Sequence, residues 1–145
     1  MSNSDQMFLA MMVPHHQQAV EMSDLVLQTT TNSDVKALAE QIKSAQGPEI
    51  EQMKQWLGPE GMMNAHSMGD DGMLTAKQMA ALKAATGAER DRLYLEGMIQ
   101  HHQGAIAMAK TELADGDNAE VMALAQAVVD AQQAEIAKMQ EMLQQ

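Results

Sequence analysis

Two pairs of adjacent histidines are the residues of this chain best suited to chemistry. The triplet His-His-Gln occurs twice, at 15–17 and 101–103, and a methionine stands three residues before and five residues after each copy. Imidazole and thioether are borderline-to-soft ligands that suit Cu(I), with Ag(I) and Cu(II) as relatives, and neither must shed a proton from a charged form. The pattern predicts copper binding through His15, His16, Met12, Met22, His101, His102, Met98 and Met108.

The two triplets belong to a longer internal repeat. An ungapped overlay of the chain on itself at an offset of 86 makes roughly twenty of about fifty positions identical. The matches continue past the histidines, so that Gln46, Glu49 and Met53 fall on Gln132, Glu135 and Met139. We interpret the repeat as a duplicated supersecondary unit.

The composition predicts an all-α protein. Of 145 residues 46% are hydrophobic but only 2% aromatic, with 16 Met and no Cys, so the core must consist of aliphatic residues and methionine. Ala, Met, Gln, Glu and Leu favour helices, and β-branched residues are sparse. The length suits a single domain, residues 1–145, and the lack of Cys excludes disulfides and thiolate metal sites.

Each repeat has the pattern of a helical hairpin. In the first, residues 5–57, a helix of about 5–28 ends in a polar stretch, Ser33 is a suitable N-cap for the next helix, and that helix ends before Gly58. Pro14 and Pro48 should bend these helices. With the second hairpin, residues 89–145, this predicts an antiparallel four-helix bundle.

The segment between the hairpins, residues 58–88, has a different composition. It begins with a Gly-rich loop and continues with a helix of about ten residues, capped by Thr75 and ended by Gly87. No core requires methionines in that loop, which predicts a second copper site of lower affinity or a hand-over loop at Met62, Met63, His66, Met68 and Met73.

Both histidines of each pair lie on the inward face of their helix. When the first hairpin is folded about its turn, His15 becomes level with Gln46, and Met12 with Glu49. Each half should therefore bury a polar layer, in which Glu49 and Glu135 orient the imidazoles or bind metal directly. The additional candidates as ligands or orienting groups are Met11, Gln46, Glu49, Met53, Gln132, Glu135 and Met139.

A plainer interpretation competes with metal binding. Buried histidines often hydrogen-bond to Glu or Gln and only fix helix register, and a methionine stripe is often adaptable core packing. The duplication of two adjacent histidines with flanking methionines favours metal.

The net charge of −11 argues against nucleic acid or an anionic membrane surface as a partner. No segment approaches the roughly 18 apolar residues that a membrane span needs. The chain as given shows no signal peptide.

The pattern Met-hydrophobic-x-His-His-Gln-x-Ala-hydrophobic-x-Met, present at 12–22 and 98–108, resembles the domain-of-unknown-function family numbered three-zero-five. The resemblance covers nearly the whole chain, including 49–57. It implies a ferritin-like four-helix bundle, export to the periplasm or cell surface, and the copper-binding and copper-resistance roles described for some members. A cytoplasmic location stays open because the chain shows no signal peptide.

The leading hypothesis is a non-enzymatic copper-binding protein for sequestration, resistance or transfer, with a copper donor or acceptor protein as partner. Iron and zinc rank below copper. A ferritin-like Fe/Mn redox protein and a metal-free structural bundle are the alternatives, although the Glu-x-x-His motif of di-metal sites is absent at the paired histidines. The oligomeric state stays open.

Overall fold

Five α-helices form the fold in this computed structural model, which describes residues 1–65 and 71–145. Four long helices make two hairpins, and a short helix lies in the connection between them. The all-helical bundle predicted from the sequence is confirmed. The helices are α1 (Asn3–Leu27), α2 (Ser33–Met63), α3 (Ala76–Ala84), α4 (Gly87–Asp115) and α5 (Ala119–Leu143).

The first helices of the two hairpins pack against each other in opposite directions. Besides the pairs α1–α2 and α4–α5, α1 contacts α4 along its length. Arg90, at the start of α4, donates to the carbonyl of Leu25 near the end of α1. Asp5, at the start of α1, accepts from the amide of Asn118 just after α4. The two helices therefore run antiparallel, and both histidine pairs lie midway along them.

Asparagines begin the second helix of each hairpin. The side chain of Asn32 accepts from the amides of Asp34 and Val35, and Asn118 does the same at the start of α5. The N-cap of α2 is therefore Asn32, and the prediction of Ser33 was wrong by one residue. Both residue types are good caps, so propensity alone did not separate them.

The boundaries around the connecting segment also differ from the prediction. At Gly58 the backbone has φ 68° and ψ 177°, which breaks the helical path, yet helix resumes and α2 ends at Met63. Thr75 caps α3 as predicted, but α3 ends at Ala84, and Gly87 begins α4 instead of ending α3. Pro14 and Pro48 lie inside α1 and α2, which continue through them.

The apolar core consists of two clusters of aliphatic residues and methionine. One contains Met22, Met98 and Met139, and the other contains Met12 and Met53, all fully buried. Unbranched methionine fills irregular space that aromatic rings would otherwise occupy. No helix in the described part of the chain is long and apolar enough to cross a membrane.

A buried arginine joins three helix ends. Arg90 is 5% exposed, and its guanidinium donates to the carbonyls of Leu25, Leu82, Lys83 and Ala85 at 2.6–3.0 Å. These carbonyls lie in or just after the last turns of α1 and α3, where a helix leaves its final carbonyls without i+4 amide partners; that of Leu25 also accepts from the amide of Gln28 at 3.3 Å. Arg90 thereby fixes the short helix to the end of the bundle.

A pair of buried carboxyl groups closes the opposite end. Asp5 accepts from the backbone amides of Ser2, Asp117 and Asn118, and Glu112, which is 1% exposed, lies beside it. Burial would raise the pKa of Asp5, but hydrogen bonds from Glu112, Ser2 and Asp117 hold it far below its usual value. Burial, together with the nearby charge of Asp5, raises the pKa of Glu112 to about 8. Glu112 therefore carries a proton at neutral pH.

This proton makes the stability of the fold depend on pH. A carboxyl whose pKa is raised on folding stabilises the protein fully below its unfolded pKa, and that stabilisation is lost as pH rises toward the folded pKa of about 8. We expect the contribution of Glu112 to lower the melting temperature as pH rises from about 4.5 to about 8 and to level off above that, and Glu112→Gln should remove a slope of up to one proton in this window. Thermal melts at several pH values test this. The exposed Glu21→Gln variant is the control, and equal slopes in all three proteins would contradict the assignment.

Candidate metal centre

The four paired imidazoles lie together inside the bundle, where α1 crosses α4. His15 and His101 are each 1% exposed, and His16 and His102 are 0% exposed. Adjacent residues on a helix point about 100° apart, so one member of each pair faces the partner helix of its own hairpin and the other faces the opposite hairpin. The rings of His15 and His101 stack, with centroids 3.7 Å apart and planes tilted by 38°.

Three of the four imidazoles are held through Nε2 by oxygen atoms. His16 bonds to Oε1 of Glu49 at 2.8 Å, and His102 bonds to Oε1 of Glu135 at 2.6 Å. His15 bonds to the carbonyl oxygen of Asp71 at 2.8 Å. A carbonyl or a carboxylate can only accept, so in each case the imidazole donates its Nε2–H.

This anchoring presents the other ring nitrogen as a ligand atom. In a neutral imidazole that is protonated on Nε2, Nδ1 carries a bare lone pair. Nδ1 of His15, His16 and His102 is buried and has no hydrogen-bond partner among the described residues. Histidines that bind metals commonly donate their other N–H to a carboxylate or carbonyl, which fixes the tautomer and the ring orientation. The three side chains have this arrangement.

His101 is the least satisfied of the four. Neither Nδ1 nor Nε2 has a hydrogen-bond partner in the described part of the chain. Burial, with smaller contributions from the other histidines, lowers its pKa well below 6.5. Burial also lowers the pKa of His15 to about 4, although the bond to Asp71 opposes this. Both rings are therefore neutral near pH 7 and free to bind a cation.

The predicted polar residues of α2 and α5 lie at the same layer. Glu49 is half-buried and bonds to His16, while Glu135 is buried and also accepts from Gln41 at 3.2 Å. Gln46 and Gln132 are buried, and neither Oε1 has a partner among the described residues.

A segment of the connecting loop covers the histidines on one side. Besides the bond from His15 to Asp71, the side chain of Gln18 bonds to both the amide and the carbonyl of Leu74 at 2.8 and 3.0 Å. Gly104 lets the loop approach α4, since a Cβ there would lie 1.8 Å from the oxygen of Asp71. We call residues 71–74 the strap.

The strap explains where the two repeats differ in sequence. Gln18 in the first repeat corresponds to Gly104 in the second, and Met11 corresponds to Gly97. A Cβ at Gly97 would lie 3.0 Å from Leu74, so both glycines give the strap room. Sequence reasoning did not assign Gln18, Asp71 or Gly104 to the site, although departures from the repeat were a usable signal.

The predicted methionine ligands divide by burial. The fully buried ones pack in the two core clusters, and they are Met12, Met22, Met53, Met98 and Met139. Met11 and Met108 are half-buried and line surface grooves. In the connecting loop, Met62 and Met73 are half-buried and Met63 is 86% exposed. The remaining two predicted loop ligands, His66 and Met68, lie outside the described residues.

The His, Asp and Glu side chains do not by themselves form a preorganised metal site. Within residues 1–65 and 71–145, no three His, Asp or Glu side chains are grouped closely enough to hold a metal ion. A metal in this layer would therefore find at most two of these side chains together as they stand and would need other donors to complete its coordination.

Comparison with known proteins identifies the family. Residues 5–143 match the family model described as Domain of unknown function (DUF305). The chain belongs to this family. The resemblance predicted from the His-His-Gln repeat is confirmed, and no protein of curated function matches the chain by sequence.

Solved structures of family members have the same fold. A protein from Streptomyces coelicolor described as secreted is 32% identical, with TM-score 0.89, and the match covers 97% of this chain and 91% of that one. A fragment from Deinococcus radiodurans is 29% identical, with TM-score 0.88 and coverage of 98% and 96%. CopM in its Cu(II)-bound form is 33% identical, with TM-score 0.84 and coverage of 99% and 98%. CopM also has Cu(I)-bound, Ag-bound and apo structures.

The strap predicts the sign of a glycine substitution. On a bare helix, Gly104→Ala would stabilise the protein by about 0.5–1 kcal/mol. Because the new Cβ would overlap Asp71, we expect a loss of about 2 kcal/mol and faster hydrogen exchange of the Leu74 amide. Urea unfolding measures the change in stability, and hydrogen exchange measures the opening of the Leu74 amide. The control Ala107→Gly, on the exposed face of α4, measures how much an Ala/Gly exchange changes stability through helix propensity alone. A more stable Gly104→Ala protein would contradict the packing described.

Adjacent histidines predict opposite effects in the metal-free protein. His101→Leu removes two unpartnered nitrogens, so we expect the free energy of unfolding to stay level or rise. His102→Leu removes the shorter of the two hydrogen bonds to the buried carboxylate of Glu135 and leaves the one from Gln41, which should cost about 3 kcal/mol. Denaturation in the presence of a chelator compares the two variants. Equal destabilisation would show that the imidazole nitrogens of His101 carry no penalty.

Proposed function

We propose that this protein binds copper ions, Cu(I) foremost, and Ag(I) through the same ligands, as a non-enzymatic sequestration or transfer protein. The ligands are drawn from His15, His16, His101 and His102, and thioethers of the buried Met12, Met22 and Met98 complete the coordination. One observation carries the proposal. Three imidazoles are fixed through Nε2, which leaves Nδ1 bare, and His101 has neither nitrogen bonded to a described residue.

The energetics of burial favour a ligand over a purely structural layer. Leaving a buried polar atom without a partner costs about 1–3 kcal/mol. Five ring nitrogens of the paired histidines are in this state within the described chain. If the layer only fixed the helix register, the protein would be more stable with these nitrogens hydrogen-bonded to each other, or with apolar side chains in place of the imidazoles. A bound cation would satisfy up to two of them.

The donors select a soft ion. Imidazole and thioether are both neutral, so a monovalent ion brings little net charge into the apolar core. Glu49 and Glu135 are occupied by the histidines they orient, which leaves few hard oxygen ligands for iron or manganese. The copper-bound and silver-bound structures of CopM, a relative 31–33% identical, agree with this choice.

We also propose that the protein works outside the cytoplasm, in the periplasm or at the cell surface. The support is the relative described as secreted. Neutral sulfur and nitrogen ligands, in a chain without cysteine, tolerate an oxidising compartment.

Cu(I) titration against a competing chelator, without oxygen, tests the function. We expect a dissociation constant below micromolar, with at least a tenfold loss in His101→Leu and loss of the site when all four paired histidines become Leu. At free Cu(I) of 100 times the dissociation constant, the folded state gains about 2.7 kcal/mol, which raises the melting temperature by roughly 5–10 °C.

The fifth histidine supplies the matched control. His66→Ala lies outside both pairs and should leave the affinity unchanged. Loss of binding in that variant alone would assign copper to the connecting loop. Elemental analysis of protein purified from medium that contains several metals tests the alternative of a ferritin-like Fe/Mn redox protein. Bound iron without copper would refute copper as the metal.

A further inference from the structure

A second group of methionines lies at the surface, apart from the buried histidines. Met7 and Met11 of α1 and Met108 of α4 line a groove of about 270 Å³. Met7 is 59% exposed, and Met11 and Met108 are half-buried. Single exposed apolar side chains are common on protein surfaces, so the observation that matters is that three thioether side chains line one groove.

The internal repeat shows that two of these three positions do not require sulfur for packing. Met7 and Met11 correspond to Leu93 and Gly97 in the second repeat, whereas Met108 corresponds to the buried Met22. On that side of the bundle, Leu74 of the strap fills the space, since a Cβ on Gly97 would lie 3.0 Å from Leu74 and 3.4 Å from Met22. On the side of Met11, the equivalent space is an open groove.

An aromatic ring stands beside the same methionines. Met7 and Met11 also line a neighbouring groove of about 540 Å³ with Trp56, the only tryptophan of the chain. An indole face attracts cations by about 0.5–2 kcal/mol. The carboxylate of Asp115 lines the first groove, and the net charge of −11 draws cations toward the surface.

We propose that Met7, Met11 and Met108 form a surface thioether site for a soft monovalent cation, Cu(I) or Ag(I), that is separate from the histidine layer. Three neutral sulfur atoms suit such an ion and bind Zn(II), Cu(II) or Mg(II) poorly. The site takes the same class of ion as the proposed function but shares no residue with it, so either site can fail alone. Its exposure suits it to receive an ion from solution or from a partner.

Silver titration tests the site, because Ag(I) is stable in air and serves as the probe. Trp56 fluorescence and the methyl NMR signals of the methionines report on the groove. We expect quenching of Trp56 and shifts of the Met7, Met11 and Met108 methyls at one equivalent beyond those of the histidine layer. In the triple variant with all three methionines changed to Leu, the affinity for this additional Ag(I) ion should fall at least tenfold. The quenching of Trp56 should disappear.

Two matched variants separate this site from the core. Met79→Leu, on the helix that covers the equivalent side of the second repeat, should leave both responses intact. His101→Leu should weaken the histidine-layer step at least tenfold but keep the quenching of Trp56. Should folding of the triple variant be impaired, Met7→Leu alone, at the exposed position, should still reduce the quenching. Unchanged stoichiometry and fluorescence in a folded triple variant would overturn the proposal, whether or not the histidine layer binds.

Discussion

Burial of four imidazoles at the crossing of α1 and α4 is the constraint on which the rest of this structure depends. Each ring brings two nitrogens into an apolar interior, and one donor from each of three rings is satisfied by Glu49, Glu135 or the Asp71 carbonyl. Satisfying the donors in this way fixes the acceptor nitrogens inward. The helix positions of both glutamates, 33 residues after their histidines, follow from this requirement.

The same constraint explains why a duplicated sequence folds with unequal halves. His15 bonds through Nε2 to a backbone carbonyl of the connecting segment, whereas His16 and His102 bond to carboxylates. That segment can reach it only where α4 has no side chain, at Gly104, and where Gln18 holds the backbone of Leu74. Once one side of the bundle is covered by the strap, the equivalent side around Met11 is left open. The surface groove is thus a consequence of the way His15 is satisfied.

Helical periodicity predicted the fold and the composition of the polar layer because both depend on side chains at regular spacing. It placed His15, His16, Gln46 and Glu49 near one level and did so again in the second repeat. Hairpin folding could not decide which histidine of a pair each glutamate bonds to, because a shift of one residue in register changes the partner. The carbonyl of Asp71 was beyond prediction, since a backbone acceptor has no sequence signature and its position depends on the path of the loop.

Periodicity also gives the direction of a side chain without saying what covers it. Met22 and Met108 occupy equivalent repeat positions, yet Met22 is fully buried and Met108 lines a surface groove. Their surroundings differ because Leu74 packs near Met22, while among residues 1–65 and 71–145 no equivalent strap lines the groove at Met108. Equivalent positions of a repeated motif can therefore place the same side chain, here a methionine thioether, in a buried and in an exposed environment. Neutral thioethers inside and outside the same bundle would allow an ion to exchange between donors of similar softness, with no proton released at either end.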